Sequence, residues 1–579
     1  MTSAPAAASA LAMPAPAPRL APVTKTVLPD RSIMGGLLLE TCLTPIASGL
    51  PCLLAPSALN CEPVSTGRGF MAAAAQGWTT KRIGFLTGIG LAVGLQLLPV
   101  PEGLTREAWL LASLALLMAS WWATEAIPIA ATALVPLALF PFLGIISMRE
   151  AASPYADPIV MLLLGGFIVA LAIERWNLHA RIALNVVAAF GSRPALMILG
   201  FMTASAVLSM WISNTATTLM MIPIALKVAE AVADEGVEVT RFAPALALAV
   251  AYAASVGGIM TPVGTPTNLI AMGFMQREFD TVISFPQWMM LGVPAAVLII
   301  PAMWLILTRL VFRVDAKAPS EAGHAVVMAH KRALGAMTTA EKRVALAFGT
   351  VAVLWMGRTL PGFLIGMPDI TFGWNPLLAW IAEQLNLPVT PTLGNAQIAM
   401  AGALAMFLIP AGDREKPGEA LMDWDTVQRL PWAVILLFGG GLSLAAAIQA
   451  TGLAEWIGSH LIWVTALPLP VTVLILALIV VFLTELTSNV ATVSGFLPVL
   501  AAVALEAGVP PAWLIIPVAL AASCAFMLPV ATAPNAIVYA SGAASMNQMI
   551  KAGFRINLVA APIIALVAWG LSAVAFPSG

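Results

Sequence analysis

Twice along this chain a short polar run interrupts sequence that otherwise reads like hydrocarbon. ISNTATT at 212–218 and LTSNVATV at 486–493 place Ser213-Asn214 and Ser488-Asn489 at an offset of 275 residues. The same offset superposes LLLGGFIVALAIERWNL at 162–178 on LFGGGLSLAAAIQATGL at 437–453. Slightly further on, MTPVGTPTN at 260–268 matches MLPVATAPN at 527–535. Apolar helices resemble one another in any membrane chain, but that does not account for a paired SN or a shared PV-x-T-x-x-N. The chain is therefore read as two copies of one unit.

Composition says where those copies sit. Only 9% of the 579 residues are charged and the mean hydropathy is +0.94, whereas a soluble domain carries roughly 25% charged residues. Such a chain cannot cover a water-facing surface, so it is an all-α polytopic protein of the lipid bilayer. Its length fits about a dozen crossings of roughly 20 residues. A net charge of −1 with no basic run gives no sign of nucleic acid as a partner. The cysteines at 42, 52, 61 and 524 match no zinc spacing, and the four histidines do not pair at a metal-binding interval.

Residues 1–80 are rich in Ala and Pro and read as a disordered tail. Crossings are expected at 83–100, 106–122, 124–145, 157–176, 195–229, 242–275, 286–312, 343–358, 394–411, 431–450, 470–505, 511–545 and 555–576. The connection 313–342 carries a basic excess beside span ends, which marks the cytoplasmic side. It separates a first repeat, 83–312, from a second, 343–576. From the span at 157 to its equivalent at 431 is an odd number of steps, so the repeats are expected to be inverted.

A polar cluster at membrane depth must face protein or water, because each unsatisfied group in hydrocarbon costs several kcal/mol. Ser, Asn and Thr disfavour helix interiors and favour caps. Each SN run is thus expected to be the tip of a re-entrant hairpin, one half-helix ending near Ser213 and the next beginning near Thr215. Pro262 and Pro266, with Gly264 between them, and Pro529 and Pro534 would break a second span in each half. Two hairpins and two broken helices point to a midplane site in a secondary transporter. Half-helix N-termini attract anions, while half-helix C-termini and unwound carbonyls suit hard cations such as Na⁺. No Lys or Arg lies close in sequence to either tip or break, so sodium is the expected source of positive charge.

Other readings compete. A single Ser-Asn-Thr can be interhelical glue, but duplication beside Pro-broken spans favours a site. Glu125 and Glu485 read either as proton or cation sites or as hydrogen-bonded helix partners, the second being preferred because neither lies within a polar tip. Asn185 is a similar case, while Asn268 and Asn535 belong to the repeated motif. A hydrolase using Ser213 or Ser488 would need a nearby base, and neither motif has His or Lys beside it. A passive channel would not require two hairpins with broken spans.

At these residues the chain resembles the divalent anion/sodium symporter family. The resemblance is carried by WWATEAIPIAATALVPL at 121–137, ADPIVMLLLGGFIVALAIERWNLHARIAL at 156–184, and the two SN and two PV-x-T-x-x-N motifs. It implies a homodimer in the cytoplasmic (inner) membrane, each chain with a scaffold domain and a transport domain that moves as an elevator. It implies Na⁺ as coupling ion, one site at Ser209, Ser213, Asn214 and the backbone of Gly264, the other at Thr484, Thr487, Asn489 and the backbone of Ala531. A C4-dicarboxylate would meet Ser213, Asn214, Thr215, Ser488 and Asn489, with Thr265 and Thr532 lining the pocket. Val490 stands where the first motif has the hydroxyl of Thr215, which bears on which acid fits. The alternative within the same fold is transport of sulfate or another inorganic dianion, or sodium-independent exchange.

Overall fold

The computed structural model describes residues 66–576 apart from 234, 236–237, 315–319, 362–370, 413–417 and 461–466. Among the described residues the architecture is helical, with one two-residue strand pair, Leu360–Pro361 against Thr371–Phe372. Seven helices are long and apolar enough to cross a membrane, and six shorter apolar helices of 10–17 residues accompany them. Large apolar side chains stay exposed on the outside, such as Leu346, Leu408 and Trp569. In a bilayer that surface meets lipid at no cost, since acyl chains are as apolar as leucine.

The duplication recurs helix by helix. In the first half, helices run over Pro158–Arg175, Leu178–Ala189, Pro194–Ser209, Asn214–Ala233, Val239–Gly258, Pro266–Phe279 and Phe285–Leu305. Their counterparts are Trp432–Ala450, Leu453–His460, Leu469–Leu483, Asn489–Glu506, Ala512–Ala522, Ala533–Ala540 and Met546–Ala575. Even the start of the last helix repeats: Ser284 with Gln287, and Ser545 with Gln548, close the same reciprocal capping box. Helices end at Ser209 and Leu483 and restart at Asn214 and Asn489, so each SN run is a break.

Several expectations are corrected. The tail does not extend to residue 80, because a helix runs over Thr66–Gln96; alanines at 72–75 favour it. Cys42, Cys52 and Cys61 lie outside the described residues. The stretch 124–145 is not one crossing. Glu125 ends the preceding helix in a left-handed conformation, and only Ile129–Thr132 and Val135–Leu139 are helical, since Pro128, Pro136 and Pro141 interrupt the run. The connection 313–342 contains a helix, Glu321–Ala333. Glu125 and Asn185 are exposed, and the Asn185 amide donates to the Arg181 carbonyl at 2.9 Å.

Charge pairs near the ends of the long helices hold the interior in place. Arg277, on the last turn of Pro266–Phe279, pairs with Asp157 at 2.6 Å. Asp157 also caps Pro158–Arg175 by accepting from Ile159 N at 3.0 Å. Arg175, at the other end of that helix, pairs with Glu419 and, at 2.5 Å, with Asp423, anchoring the segment that leads into Trp432–Ala450. Asp157→Asn keeps the cap and removes the ion pair, whereas Asp157→Ala removes both. The alanine variant is therefore expected to lose about 1 kcal/mol more, read as a lower thermal midpoint in detergent.

Candidate functional site

Each tip folds back on itself through one hydrogen bond. Ser209 Oγ donates to Asn214 Oδ1 at 2.6 Å, and Thr484 Oγ1 donates to Asn489 Oδ1 at 2.7 Å. Each break in the following span is stapled by its asparagine. Asn268 Nδ2 donates to the carbonyls of Gly258 and Thr261 at 2.9 and 2.7 Å; Asn535 Nδ2 donates to those of Ala525 and Leu528 at 3.1 and 3.0 Å. Both asparagines are fully buried, and these bonds satisfy carbonyls that the interrupted helix leaves open. The two breaks are joined directly, Thr267 Oγ1 lying 2.7 Å from Ser523 Oγ.

The first tip and first break touch. A Cβ on Gly258 would lie 2.8 Å from Asn214 Oδ1 and 3.3 Å from the Gly264 carbonyl oxygen, so only glycine allows this approach. The Ser209 hydroxyl, the Asn214 amide oxygen and the Gly264 carbonyl thus gather at the end of Val239–Gly258. In the second half the single Thr484 hydroxyl proton is shared between Asn489 Oδ1 and the Ala522 carbonyl, the latter 2.9 Å away. Both clusters consist of neutral oxygens from helix ends, tip amides and unwound backbone, a donor set that fits an alkali cation.

Between the tips lies a cavity of about 490 Å³. Ser213, Asn214, Thr215, Thr265, Ser488, Asn489, Val490 and Thr532 all line it, with Gly264 and Ala531. These residues sit at the N-termini of four helices, Asn214–Ala233, Pro266–Phe279, Asn489–Glu506 and Ala533–Ala540. Each N-terminus carries roughly +0.5 of an elementary charge. Local chemistry prepares these ends: Ser213 Oγ accepts from Ala216 N at 3.2 Å and Thr532 Oγ1 from Asn535 N at 3.3 Å. Pro266 and Pro534 fall in first turns, where a missing N–H costs nothing. The arrangement brings the positive ends of four helices to one cavity, a setting that favours an anion.

Two residues of the first set do not line this cavity because they stand behind it: Ser209 and Thr484, both fully buried and bonded to the tip asparagines. Thr487 departs from the expectation. Its hydroxyl bonds Leu483 O at 3.1 Å and Thr492 Oγ1 at 2.5 Å, and it lines a separate apolar cavity beside Trp109 and Trp122. Glu485, read as a hydrogen-bonded helix partner, accepts from Asn557 Nδ2 on the helix Met546–Ala575 and also from Phe526, Met527 and Leu528 N of the second break.

Sequence reasoning also missed two charged residues. Glu174 and Arg429 line the cavity, which corrects the expectation that no basic group is near. Arg429 is exposed and precedes Trp432–Ala450, far from both motifs in sequence. The two formal charges cancel, so the side-chain wall adds no net positive charge. The ERWNL quoted above was the one signal for Glu174; nothing in the sequence marked Arg429.

Comparison with known proteins follows the same lines. Residues 76–574 match the sequence model described as the sodium:sulfate symporter transmembrane region. The chain belongs to this family, the divalent anion/sodium symporters. A relative from Staphylococcus saprophyticus named sodium-dependent dicarboxylate transporter SdcS is 38% identical over 495 residues, covering 84% of this chain and 91% of the relative. The protein of the same name from Staphylococcus aureus strain MRSA252 is 38% identical over 503 residues, covering 84% and 92%. Among solved structures, the Alcanivorax borkumensis YdaH transporter aligns with TM-score 0.48 and 14% identity over 82% of this chain and 99% of that one. Membership in a family of symporters, with relatives named as transporters, makes this chain a transporter and sets aside the hydrolase reading of Ser213 and Ser488.

The geometry separates two neighbouring threonines. Thr484→Val removes the hydroxyl that holds Asn489 and is expected to abolish ion-dependent uptake into proteoliposomes. Thr487→Val, whose hydroxyl faces the other cavity, is expected to keep uptake within about threefold of wild type, an effect below 1 kcal/mol.

Proposed function

We propose that the protein is a secondary active transporter that imports C4-dicarboxylates of the succinate, malate and fumarate type together with Na⁺ across the cytoplasmic membrane. One observation carries this reading: four helix N-termini and both tip asparagines converge on a single cavity. A dicarboxylate brings −2 into the membrane, and an unpaired charge there is prohibitive. Helix ends supply on the order of two positive charges at most, shared with water and screened, so neutralising cations at the two oxygen clusters complete the balance. Ser213, Asn214 and Thr215 would hold one carboxylate, Ser488 and Asn489 the other, with Thr265, Thr532 and Val490 shaping the space between. Na⁺ would sit at Ser209, Ser213, Asn214 and Gly264, and at Thr484, Asn489 and Ala531 with the backbone of Thr487. Cation binding orders the tips first and the anion follows.

The working assembly in this reading is a homodimer. In each chain two inverted repeats with re-entrant tips build a scaffold domain and a transport domain, and the transport domain moves as an elevator against the scaffold. The names of the staphylococcal relatives support both the ion and the substrate class. The cavity's volume lies within the usual range for small organic ligands.

Counterflow with labelled succinate, malate, fumarate, citrate and sulfate, in sodium and in choline, tests this reading. Sodium-dependent exchange of C4 acids is expected; uptake equal in choline, or sulfate as the preferred anion, would overturn it. Asn214→Ala and Asn489→Ala are each expected to abolish uptake without unfolding the protein, since each removes the side chain shared by tip and ion cluster. Val490→Thr restores the hydroxyl present in the first motif. It should alter preference among di- and tricarboxylates by up to about tenfold, the worth of one good hydrogen bond, while transport persists.

A further inference from the structure

We infer that Glu485 makes the two cation sites unequal, by fixing a negative charge beside the second site that the first site lacks. The inference rests on the sodium-coupled reading above and assigns Glu485 a positioning role within it. Glu485 is 2% exposed. Its Oε1 accepts from Phe526 N at 2.6 Å, Met527 N at 2.9 Å and Asn557 Nδ2 at 2.7 Å. Its Oε2 accepts from Met527 N at 2.9 Å and Leu528 N at 3.1 Å. Every partner is a donor, the pattern that an ionised carboxylate satisfies and a protonated one would oppose with its own O–H. Among the described residues none of the ion pairs includes Glu485, so neutral dipoles hold this charge without cancelling it.

The duplication supplies the control. Met210 stands in the first repeat where Glu485 stands in the second, and Thr261 stands where Leu528 does. In the first half the Thr261 hydroxyl donates to the Met210 carbonyl. In the second half the backbone N–H of Leu528 donates to the Glu485 side chain. In both halves the break donates to the segment before the SN motif. The first does so through a side-chain hydroxyl to a backbone carbonyl, the second through a backbone N–H to a side-chain carboxylate, and only the second tie carries charge. The last helices of the two halves agree: Gly292 and Gly553 make the same close approach to Ile259 O and Phe526 O. Four residues on, the first half has Ala296 and the second has Asn557, the amide that meets Glu485.

Glu485 directly follows Thr484, whose hydroxyl holds Asn489 and the Ala522 carbonyl. Across roughly 10 Å at an effective dielectric of about 20, a unit charge alters cation affinity by more than tenfold. The second site therefore binds the cation more tightly and fills first, organising the Ser488-Asn489 tip ahead of the Ser213-Asn214 tip.

The test is equilibrium binding of radiolabelled sodium to the purified full-length protein without dicarboxylate, choline holding the ionic strength, alongside thermal midpoints. Wild type is expected to show two classes whose dissociation constants differ by about tenfold or more. Asn489→Ala should remove the tight class and Asn214→Ala the weak one. Glu485→Gln, which keeps the planar shape and loses the charge, should weaken the tight class by about tenfold or more. Asn557→Leu keeps the charge and loses a hydrogen bond. It should lower the thermal midpoint yet leave the tight class within about twofold, which a purely structural role for the cluster would not predict. Two equal sites in wild type would overturn the inference, even if Glu485→Gln failed to fold. So would a folded Glu485→Gln with unchanged sodium affinity, or loss of the weak class in Asn489→Ala. Sodium binding no better than choline in wild type would sink the sodium-coupled reading itself, a result distinct from these.

Discussion

The structure depends on interrupting helices where the surroundings are apolar. A continuous helix satisfies its own backbone; a broken one exposes about four N–H groups at one new end and about four carbonyls at the other. In an apolar layer those groups need partners. The protein concentrates the cost at one place and sorts it by sign. N-termini of four helices face the central cavity, while the ends of Pro194–Ser209, Val239–Gly258, Leu469–Leu483 and Ala512–Ala522 turn their carbonyl sides toward the oxygen clusters behind. A place for an anion and places for cations arise together, because every break makes one end of each kind.

Side chains keep these ends from collapsing onto one another. Asn268 and Asn535 occupy carbonyls within their own breaks, so the unwound peptides hold shape without a bound ion. Ser209 and Thr484 orient the tip amides from one turn back. Outside this centre, Asp157 with Arg277 and Arg175 with Asp423 fix the helices that frame it. These frame pairs involve none of the tip residues, although the cavity wall does carry the charged Glu174 and Arg429.

Much of this was legible in the sequence. The paired SN and PV-x-T-x-x-N motifs marked four places where helices end and restart, because Ser, Asn, Thr and Pro declare helix ends through local chemistry. Less legible was what depends on packing. Arg429 lines the cavity from a segment that Arg175 pairs with at Asp423, a contact between distant parts of the chain. Thr487 shares a turn with Ser488, yet the chain has left the helix after Leu483, so helical spacing no longer predicted where its hydroxyl points. Glu485 looked like any acidic residue in an apolar span until the fold set three successive N–H groups against it. The stretch 124–145 was misjudged by hydropathy, which does not weigh three prolines.

The Thr267–Ser523 contact bears on how such a protein can move. Both hydroxyls are buried, at 0% and 1% exposure. Thr267 keeps longer contacts to Thr265 and Asn268, but parting the pair in dry surroundings would cost the Ser523 hydroxyl its partner, about 1–3 kcal/mol. A rearrangement that pried the halves open along this seam would meet that penalty on every cycle. Carrying both interruptions as a single block, with sliding confined to greasy surfaces elsewhere, meets none of it.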